Sequence, residues 1–485
     1  MKRAKTAPND RAISGARHVS GRARLRLDRQ SGMPLYRQLY ERITRAIKDG
    51  TLRPGERLPS TRSLASQLVT SRGTIDLAYD LLSSEGYILS KGAAGTIVTS
   101  TLIGPPKQSK QIPSKPPALE PGAQSVRPFQ MGLPALDAFP RKLWSRLMVR
   151  QARALAMDAL HQPGTDGYMP LREAVRSYLA VSRGILCSTE QLIITSGFQG
   201  ALGLITRALL HQGDEVWFED PGYFMARRGF EVAGAKLVAV PVDKEGLDVE
   251  TGIAKAPKGR FVFVTPSHQM PLGVSLNSER RLALLSWAAS AKAWIIEDDY
   301  DSEFRYGSRP LPALKSLDES DRVIYVGTFS KVLVPGLRLG YVVVPESAIG
   351  QVQRVCRLLY RDRPTFNQVI VADFMREGHF ARHIRKMRSL YAARRSALAA
   401  ALANAFDGQM KIEMQEGGMH LLGRLAKTVN DVDLAARALA HGLAPAALSP
   451  WRLEYDCGHG LLVNFTNIPE HTAIDMAMRL KHALT

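Results

Sequence analysis

A proline-rich segment at residues 102–128 divides the sequence into two parts that must fold separately. Proline fixes φ and lacks a backbone N–H, so it is excluded from helix interiors and central strands. The segment contains Pro105, Pro106, Pro113, Pro116, Pro117, Pro121 and Pro128. In polyproline geometry its 27 residues reach about 80 Å at about 3.1 Å each. We therefore predict a linker, with folded domains on either side in a chain of 485 residues that is too long for one core.

After the linker, short apolar strands alternate with helical segments. Strands are predicted at 191–195, 215–218, 261–264, 294–297 and 323–326. This alternation indicates an α/β domain with a largely parallel sheet. Each strand runs directly into polar or conformationally special residues. Because ligands bind beyond the carboxyl ends of strands in such sheets, we expect these residues to converge on one site.

Four of the strand ends suit a charged, planar ligand. Residues 196–200 (SGFQG) open an apolar helix, whose N-terminal N–H groups suit a phosphate. Residues 219–223 (EDPGY) offer an aromatic ring for stacking, and 265–273 (TPSHQMPLG) add polar side chains. Residues 297–301 (EDDYD) concentrate four acids. Each segment also has an ordinary interpretation as a turn or polar loop, so the order of the set carries the signal.

The fifth predicted strand is followed by Ser330 and Lys331 and, seven residues after the lysine, by Arg338. A lysine amine can form a Schiff base with an aldehyde, and an arginine can bind a phosphate. A carboxylate from 297–301 could hold a protonated ring nitrogen. The sequence therefore predicts a site for pyridoxal 5'-phosphate.

Residues 31–101 have the pattern of a winged helix-turn-helix. A helix is predicted at 34–49, and Ser60-Thr61 and Thr70-Ser71 offer capping oxygens to two further helices. Their apolar faces are Leu35, Leu39, Ile43 and Ile47, then Leu64 and Leu68, then Ile75, Ala78, Tyr79 and Leu82. Strands at 87–89 and 96–98 flank a turn at 91–95. The second helix of such a motif enters the DNA major groove.

This region, with LPSTRSLA at 58–65 and SRGTI at 71–75, resembles the DNA-binding domain of the GntR family. The resemblance implies contacts to bases or phosphates by Arg62, Ser71, Arg72 and Thr74, and a wing contact by Lys91. A solvated charge is the other interpretation of Arg72.

Residues 129–485 resemble a fold-type I aminotransferase, and the chain after residue 30 resembles the MocR subgroup of GntR regulators. The resemblance implies a mainly parallel sheet with helices on both faces and a smaller C-terminal α+β subdomain. Lys331 would form the internal aldimine, Asp298 would pair with the pyridine nitrogen, and Tyr300 would hydrogen-bond the phenolic oxygen.

Further contacts with the cofactor follow from the same resemblance. Tyr223 would stack on the ring. The residues expected to hold the phosphate are Gly197, Phe198, Ser330 and Arg338, and those expected to face the cofactor are His268 and Gln269. No metal ligands are expected.

One position departs from the aminotransferase pattern. In that family an arginine that binds the substrate α-carboxylate precedes a strand like Val463-Asn464, and here Leu462 occupies its place. Arg227, Arg228 and Arg452 are the candidate substitutes for binding an effector. The change puts ordinary transamination in doubt and leaves open an effector without an α-carboxylate, or the cofactor itself as the signal.

Three functional interpretations compete. The first is a pyridoxal-phosphate-dependent transcription regulator, in which effector binding or aldimine exchange controls promoter binding. Its catalysis would be limited to aldimine exchange or a half-transamination. The second is an active aminotransferase with a DNA-binding head, and the third is a regulator without cofactor. The first implies double-stranded DNA half-sites, a small effector (amino acid, amine or pyridoxal phosphate) and a homodimer, with its heads crossed over to the partner in the family arrangement.

The distribution of charge adds two predictions. The net charge is +20, and residues 1–30 hold nine Lys or Arg against two Asp, so this arm is predicted to be disordered when free. It is either a solubilising tail or a source of extra phosphate contacts. Basic residues at 376–395 are predicted to form the solvated side of a helix, with a second DNA-facing surface as the alternative. The residues concerned are Arg382, Arg385, Lys386, Arg388, Arg394 and Arg395, with Ile384, Met387, Leu390 and Tyr391 facing inward.

The cellular location and the role of the cysteines are predicted from features that the sequence lacks. The N-terminus shows no apolar signal segment, and no run approaches about 18 apolar residues, the length of a membrane span. The three cysteines are scattered without metal-ligand spacing. We expect a cytoplasmic, nucleoid-associated protein without membrane partners.

Overall fold

The computed structural model describes residues 27–92, 95–99, 126–154, 164–307, 312–359 and 365–484. Its contacts divide the chain into two compact units, with the boundary between Pro121 and Gly122. Most of the predicted basic arm and linker, at 1–26 and 102–125, lies outside the described residues, as do two residues of the wing turn. Residues 27–30, which the predicted arm included, contact the N-terminal unit, since Leu27 packs against its core and the side chain of Gln38 bonds the backbone of Asp28.

The N-terminal unit contains three helices and a small sheet. Its helices are α1 (Leu35–Lys48), α2 (Thr61–Gln67) and α3 (Arg72–Ser84), and its strands are β1 (Arg57–Leu58), β2 (Ile88–Ser90) and β3 (Thr96–Val98). Ser60 and Ser71 cap α2 and α3 by accepting the N–H groups of Ser63 and Thr74. The sheet has the antiparallel order β1-β3-β2. The winged helix-turn-helix is thus present, with β1 as an additional strand and with Leu68 one residue beyond the end of α2.

The C-terminal unit is built on an eight-stranded sheet. Its strands are β4 (Leu192–Thr195), β5 (Glu215–Asp220), β6 (Lys236–Asp243), β7 (Gly246–Leu247), β8 (Phe261–Val264), β9 (Trp294–Asp299), β10 (Val323–Thr328) and β11 (Gly340–Val343). The order is β4-β11-β10-β9-β8-β5-β6-β7. Neighbours from β10 to β6 are parallel, while β11 is antiparallel to both β10 and β4. The carboxyl ends of β4, β5, β8, β9 and β10 therefore meet at one edge.

Helices cover both faces of this sheet. They are α4 (Arg141–Arg153), α5 (Met169–Arg183), α6 (Phe198–Leu209), α7 (Phe224–Val232), α8 (Val249–Lys255), α9 (Ser278–Ala291), α10 (Ile349–Leu359) and α11 (Thr365–Arg376). Alternate residues of each strand enter different apolar clusters. In β9, Ile296 packs with α6 and α10 residues, and Ile295 packs with α8 and α9 residues. The two clusters lie on opposite faces, because the side chains of a strand alternate between the faces of the sheet. A mainly parallel sheet with helices on both faces confirms the predicted α/β class.

A smaller antiparallel sheet follows the long helix α12 (His379–Phe406). It contains β12 (Lys411–Glu413), β13 (His420–Leu425), β14 (Ala446–Ala447) and β15 (His459–Asn464), in the order β12-β13-β15-β14. The helices α13 (Asp431–Ala440) and α14 (Ala473–Leu484) pack with α12 against Leu421 and Leu461.

The prediction for the basic helix was wrong at two positions. Arg394 is buried, where it pairs with Asp137 and donates to the carbonyl of Thr466. Arg395 is half-buried over the ring of Tyr306, with its guanidinium carbon 4.5 Å from the ring centroid. The two residues lie on the side of α12 that faces the small sheet, because helix geometry places them one turn beyond Tyr391 on its buried stripe.

The described residues contain neither a candidate membrane span nor a candidate metal site. None of their helices has the length and apolarity needed to cross a membrane. Within the same residues no group of His, Cys, Asp or Glu has the arrangement of a metal site.

Candidate functional site

Lys331 follows the end of β10, and its amine is surrounded by groups from distant parts of the C-terminal unit. The Nζ atom donates a hydrogen bond of 2.8 Å to the carbonyl oxygen of Gly132. Burial lowers the pKa of Lys331, while the carboxylates of Asp301 and Asp298 oppose the shift. The amine therefore loses its proton more readily than a solvated lysine does, and the neutral amine is the form that attacks a carbonyl.

Three of the four acids at the end of β9 are engaged in structural contacts. Glu297 accepts hydrogen bonds of 2.8 Å from the backbone N–H groups of residues 314 and 315. Asp299 forms a buried ion pair with Arg183 at 2.8 Å. Asp301 lies 3.1 Å from Nδ1 of a buried histidine. Three of the acids therefore support the local fold.

Asp298 is the exception. Its side chain is buried, yet no hydrogen bond to it is found among the residues that the structure describes. Burial and the neighbouring Asp299 raise the pKa of Asp298 well above its usual value, against the influence of Lys331. A cationic group placed against this carboxyl would lower its pKa again and be held by it.

Tyr300, His268 and Asp301 form a connected polar group beside Asp298. Nδ1 of His268 lies 2.9 Å from the phenol oxygen of Tyr300 and 3.1 Å from Asp301. The ring of His420 lies 5.4 Å from that of His268. Burial and the proximity of His268 lower the pKa of His420 to about 3, so His420 is neutral. Asp301 and His268 thus fix the position of the Tyr300 phenol.

Gln269 connects two loops at the sheet edge. Its amide donates to the carbonyl of Pro221 at 2.8 Å and to Glu219 at 3.3 Å, and its oxygen accepts from the backbone N–H of Leu272. Glu219 also accepts a 2.6 Å bond from the hydroxyl of Thr265. Burial raises the pKa of Glu219 to about 7 despite these bonds. The amide of Gln269 is therefore occupied with the loops, and its contact with a cofactor stays a prediction.

Aromatic rings border the site on the side of β5. Tyr223 precedes α7, and its ring lies 5.5 Å from that of Phe198 and 6.3 Å from that of Trp451. Burial and the charge of Asp298 raise the pKa of Tyr223 to about 12. The ring remains partly exposed and offers a flat surface near Asp298.

The ends of β10 and β4 and the start of β11 form a cradle that contains Gly340 and adjoins Gly197. Thr328 pairs with Gly340, which pairs with Thr195. A Cβ atom added at Gly340 would lie 2.9 Å from the carbonyl of Gly327 and 3.0 Å from Cα of Gly197. Gly197 has φ +80° and directly precedes α6, so the N–H groups of that helix open here. Helix N-termini of this kind suit an anion, and the binding of phosphate here stays a prediction.

Two further groups predicted for the phosphate flank this cradle. Ser330 follows β10, and its backbone N–H bonds the hydroxyl of Thr328. Arg338 lies two residues before β11, adopts φ +51° and exposes its side chain. The exposed guanidinium is accessible to a phosphate.

Leu462 lies in an apolar cluster instead of a cationic one. The cluster contains Leu272, Leu422, Leu448, Trp451 and Leu462, all buried. The three candidate arginines are engaged elsewhere. Arg227 donates to the carbonyl of Arg452, Arg228 pairs with Glu231 at 2.9 Å, and Arg452 lies 3.7 Å from Asp456. None of these contacts directs a guanidinium toward Leu462.

The residues predicted to contact DNA lie at the two helix starts and in the wing. Arg62 is in the first turn of α2, and Ser71, Arg72 and Thr74 are at the start of α3. Arg72 and Lys91 are exposed. Arg72 lies 3.5 Å from Asp76 in an exposed i,i+4 pair, which is weak enough for a phosphate to replace.

Sequence reasoning missed three contributors. Gly132 lies 199 positions before Lys331, and no local signal connects them. Asp301 was visible only as one of several acids, and its role depends on His268. Trp451 follows Pro450 in a loop that carried no motif.

Comparisons with known proteins agree with this architecture. Bacterial regulatory proteins of the gntR family match residues 35–98. The aminotransferase class I and II family matches residues 141–448. The probable rhizopine catabolism regulatory protein MocR of Rhizobium meliloti is 37% identical over 92% of this chain and 93% of its own length.

The chain belongs to the MocR-type regulators of the GntR family. The pyridoxine biosynthesis regulator PdxR of Corynebacterium glutamicum is 33% identical to this MocR-type chain, over 90% of this chain and 92% of its own. The kynurenine aminotransferase of Pyrococcus horikoshii, solved in complex with PMP, is 30% identical with a TM-score of 0.68. The match covers 75% of this MocR-type chain and 91% of the enzyme.

The residues of this MocR-type site fit pyridoxal phosphate. Asp298 is a buried acid without a hydrogen-bond partner among the described residues, which suits a protonated ring nitrogen. At Gly197, directly before α6, an added Cβ atom would meet nothing within 4 Å, and this open helix start suits a phosphate. Lys331 supplies an amine of lowered pKa. Pyridoxal phosphate is the cofactor of this fold.

Proposed function

We propose that this protein is a pyridoxal-phosphate-dependent transcription regulator, in which a small effector at the C-terminal site changes the binding of the N-terminal winged helix to promoter DNA. One observation carries the proposal: a lysine of lowered pKa and a buried, unpaired aspartate lie at one sheet edge, in a chain that also carries a gntR-family head. When bound, the cofactor supplies an aldehyde that condenses with primary amines.

The proposed roles of the site residues follow from their contacts. Lys331 presents its amine to the aldehyde, held by the Gly132 carbonyl. Asp298 holds the proton of the ring nitrogen, since a buried carboxylate needs a cationic partner. Tyr300, positioned by His268, donates to the phenolic oxygen.

The remaining groups bind the two ends of the cofactor. Tyr223 stacks on the ring, and Gln269 holds the loop that carries His268. The phosphate is held by Gly197, Phe198, Ser330 and Arg338. Backbone N–H groups at the start of α6 and the Arg338 guanidinium supply charge-assisted bonds there.

The DNA contacts are proposed for the N-terminal unit. Arg62 and Arg72 bind phosphates, while Ser71 and Thr74 at the start of α3 lie where a recognition helix meets base edges. Lys91 contacts the DNA backbone from the wing. A homodimer in the cytoplasm, reading paired half-sites, is the assembly that this arrangement suits.

An active aminotransferase is the second candidate, favoured by the 30% identity to the Pyrococcus enzyme. The apolar surroundings of Leu462 argue against ordinary amino-acid turnover, because a substrate carboxylate would meet no cation there. Rapid conversion of amino acids and keto acids by the purified protein would establish this second function instead.

Two measurements test the first candidate together. Purified protein should show the visible absorption band of a lysine-bound cofactor, which Lys331→Ala should lose and the exposed control Lys244→Ala should keep. Binding to its own upstream DNA should weaken steeply with salt. A colourless wild-type protein supplied with cofactor would contradict the proposal.

A further inference from the structure

An apolar cluster borders the site near Tyr223. Five buried side chains form a surface that we call the apolar floor: Leu272, Leu422, Leu448, Trp451 and Leu462. Met131, Met270 and Tyr223 are among the partly exposed side chains that pack on it. These three are the ones considered below, because each adjoins a group of the candidate cofactor site.

The apolar floor borders the reactive amine. Met131 precedes Gly132, whose carbonyl accepts the bond from Lys331. The sulfur of Met270 lies 3.6 Å from the phenol oxygen of Tyr300. A molecule held at the Lys331 amine would thus extend across Met131 and Met270.

The charged and titratable groups around the floor are already engaged. On β13, Leu422 lies between His420 and Arg424, which share its face. His420 bonds the carbonyl of Pro271 and is neutral, since burial lowers its pKa to about 3. Arg424 bonds Glu413 at 3.3 Å and the carbonyl of Cys457 at 2.6 Å.

The arginine nearest in sequence to Trp451 lies outside the buried floor. The side chain of Arg452 is 52% exposed and lies 3.7 Å from Asp456, and the Arg452 carbonyl accepts the Arg227 guanidinium. On the side of the amine, the charges are the acids Asp298 and Asp301. A carboxylate beside the amine would therefore be desolvated against methionine and leucine, and the charged groups named here would not stabilise it.

We infer that the effector is a primary amine with an apolar tail and no carboxylate on the amine-bearing carbon. This rests on the proposed function, which supplies the cofactor aldehyde. The ligand amine would take the place of the Lys331 amine on the aldehyde carbon: one C=N bond would form and one would break, and the three hydrogens of the ligand ammonium would pass to the Lys331 nitrogen, which would leave as an ammonium. No oxidant or reductant is needed. The flexible thioethers of Met131 and Met270 accommodate tails of different shape.

Matched ligand pairs test the inference on the wild-type, cofactor-loaded protein. Phenethylamine and L-phenylalanine differ only in the carboxylate, as do 3-methylbutylamine and L-leucine. Half-saturating concentrations are measured from the visible band and, independently, from the shift in the thermal unfolding midpoint. Each amine is expected to act at a concentration at least ~10-fold lower than its amino acid, equivalent to ~1.4 kcal/mol. Ethanolamine, without an apolar tail, should be weaker than both amines.

The outcomes that would overturn the inference alone differ from the one that would also reject the proposed function. Equal or better binding of the amino acids, or of ethanolamine, would overturn the inference. A band that none of the amines alters would also overturn it while leaving cofactor binding intact. Absence of the band itself would reject the proposed function and the inference with it.

A variant tests the partly exposed residues that pack on the apolar floor. Met270→Arg places a cation beside the amine without filling the buried floor, and it should shift the preference toward L-phenylalanine by about 10-fold. Met478→Arg, at an exposed position on α14, should leave the preference unchanged. An unchanged preference in a folded, coloured Met270→Arg protein would count against the inference.

Discussion

The amine of Lys331 donates a 2.8 Å hydrogen bond to the carbonyl oxygen of Gly132, which lies in the segment before α4. Gly132 has φ +78°, and a Cβ atom at this position would lie 2.6 Å from the lysine nitrogen. Gly132→Ala should therefore displace the amine and weaken cofactor retention about 10-fold, or ~1.4 kcal/mol. The measurement is the cofactor dissociation constant by absorption. Gly378→Ala, at φ +73° and with no neighbour within 4 Å of the added carbon, is the matched control and should retain the cofactor normally.

Asp298 and Asp299 should differ in how much substitution by asparagine lowers the free energy of unfolding. Without a cofactor, burial keeps the pKa of Asp298 well above normal, so Asp298→Asn should change the free energy of unfolding by less than ~0.5 kcal/mol. Asp299→Asn breaks the buried pair with Arg183 and should lower it by about 3 kcal/mol. Urea unfolding of the cofactor-free proteins measures both.

Asp298, whose substitution should hardly change stability, should matter for the binding of the cofactor. Asp298→Asn removes the carboxylate proposed to hold the ring nitrogen and should weaken cofactor binding by at least ~10-fold. Unimpaired cofactor affinity in Asp298→Asn would rule out the proposed role of this residue.

Arg72 can be compared with an arginine in the same local geometry. Arg72 and Asp76 on α3 form an exposed i,i+4 pair at 3.5 Å, and Arg37 and Glu41 on α1 form one at 3.8 Å. Arg72→Ala should reduce affinity for upstream DNA about 10-fold. It should also lower the slope of log affinity against log salt concentration by about one. Arg37→Ala should change neither. Equal effects of the two substitutions, in fluorescence anisotropy at several salt concentrations, would show that Arg72 has no specific contact.

Glu219 should make stability depend on pH. Burial raises its pKa from 4.5 to about 7 in the folded protein, so folding favours the protonated acid. The contribution of the protonated Glu219 to the free energy of unfolding is complete below the pKa that this residue has in the unfolded chain. It disappears as the pH rises through the pKa of Glu219 in the folded protein. The unfolding free energy of the wild type relative to Glu219→Gln should fall by about 3 kcal/mol between about pH 4.5 and 7. A difference that is flat or rises over this range would contradict the assignment.

Local patterns predicted five of the eight strands of the large sheet and the caps of α2 and α3, because these signals depend on neighbouring residues; β6, β7 and β11 were not predicted. The capping oxygens of Ser60 and Ser71 bond the N–H groups three residues on, within the same turn. The two-residue strand β1 was not predicted, since its two residues pair with β3 about forty positions later. Arg394 was predicted to be solvated because its partner Asp137 lies 257 positions away.

The sequence by itself determined the order of the two units and the residue types at each strand end, since strand alternation and caps are local properties. It placed Lys331 and Arg338 beside one strand and offered four acids without distinguishing them. Only the tertiary structure decided which acid stays unpaired, because Arg183, His268 and the backbone at 314–315 take the other three. It also decided that Leu462 joins an apolar floor, since the residues packed around it come from three separate segments.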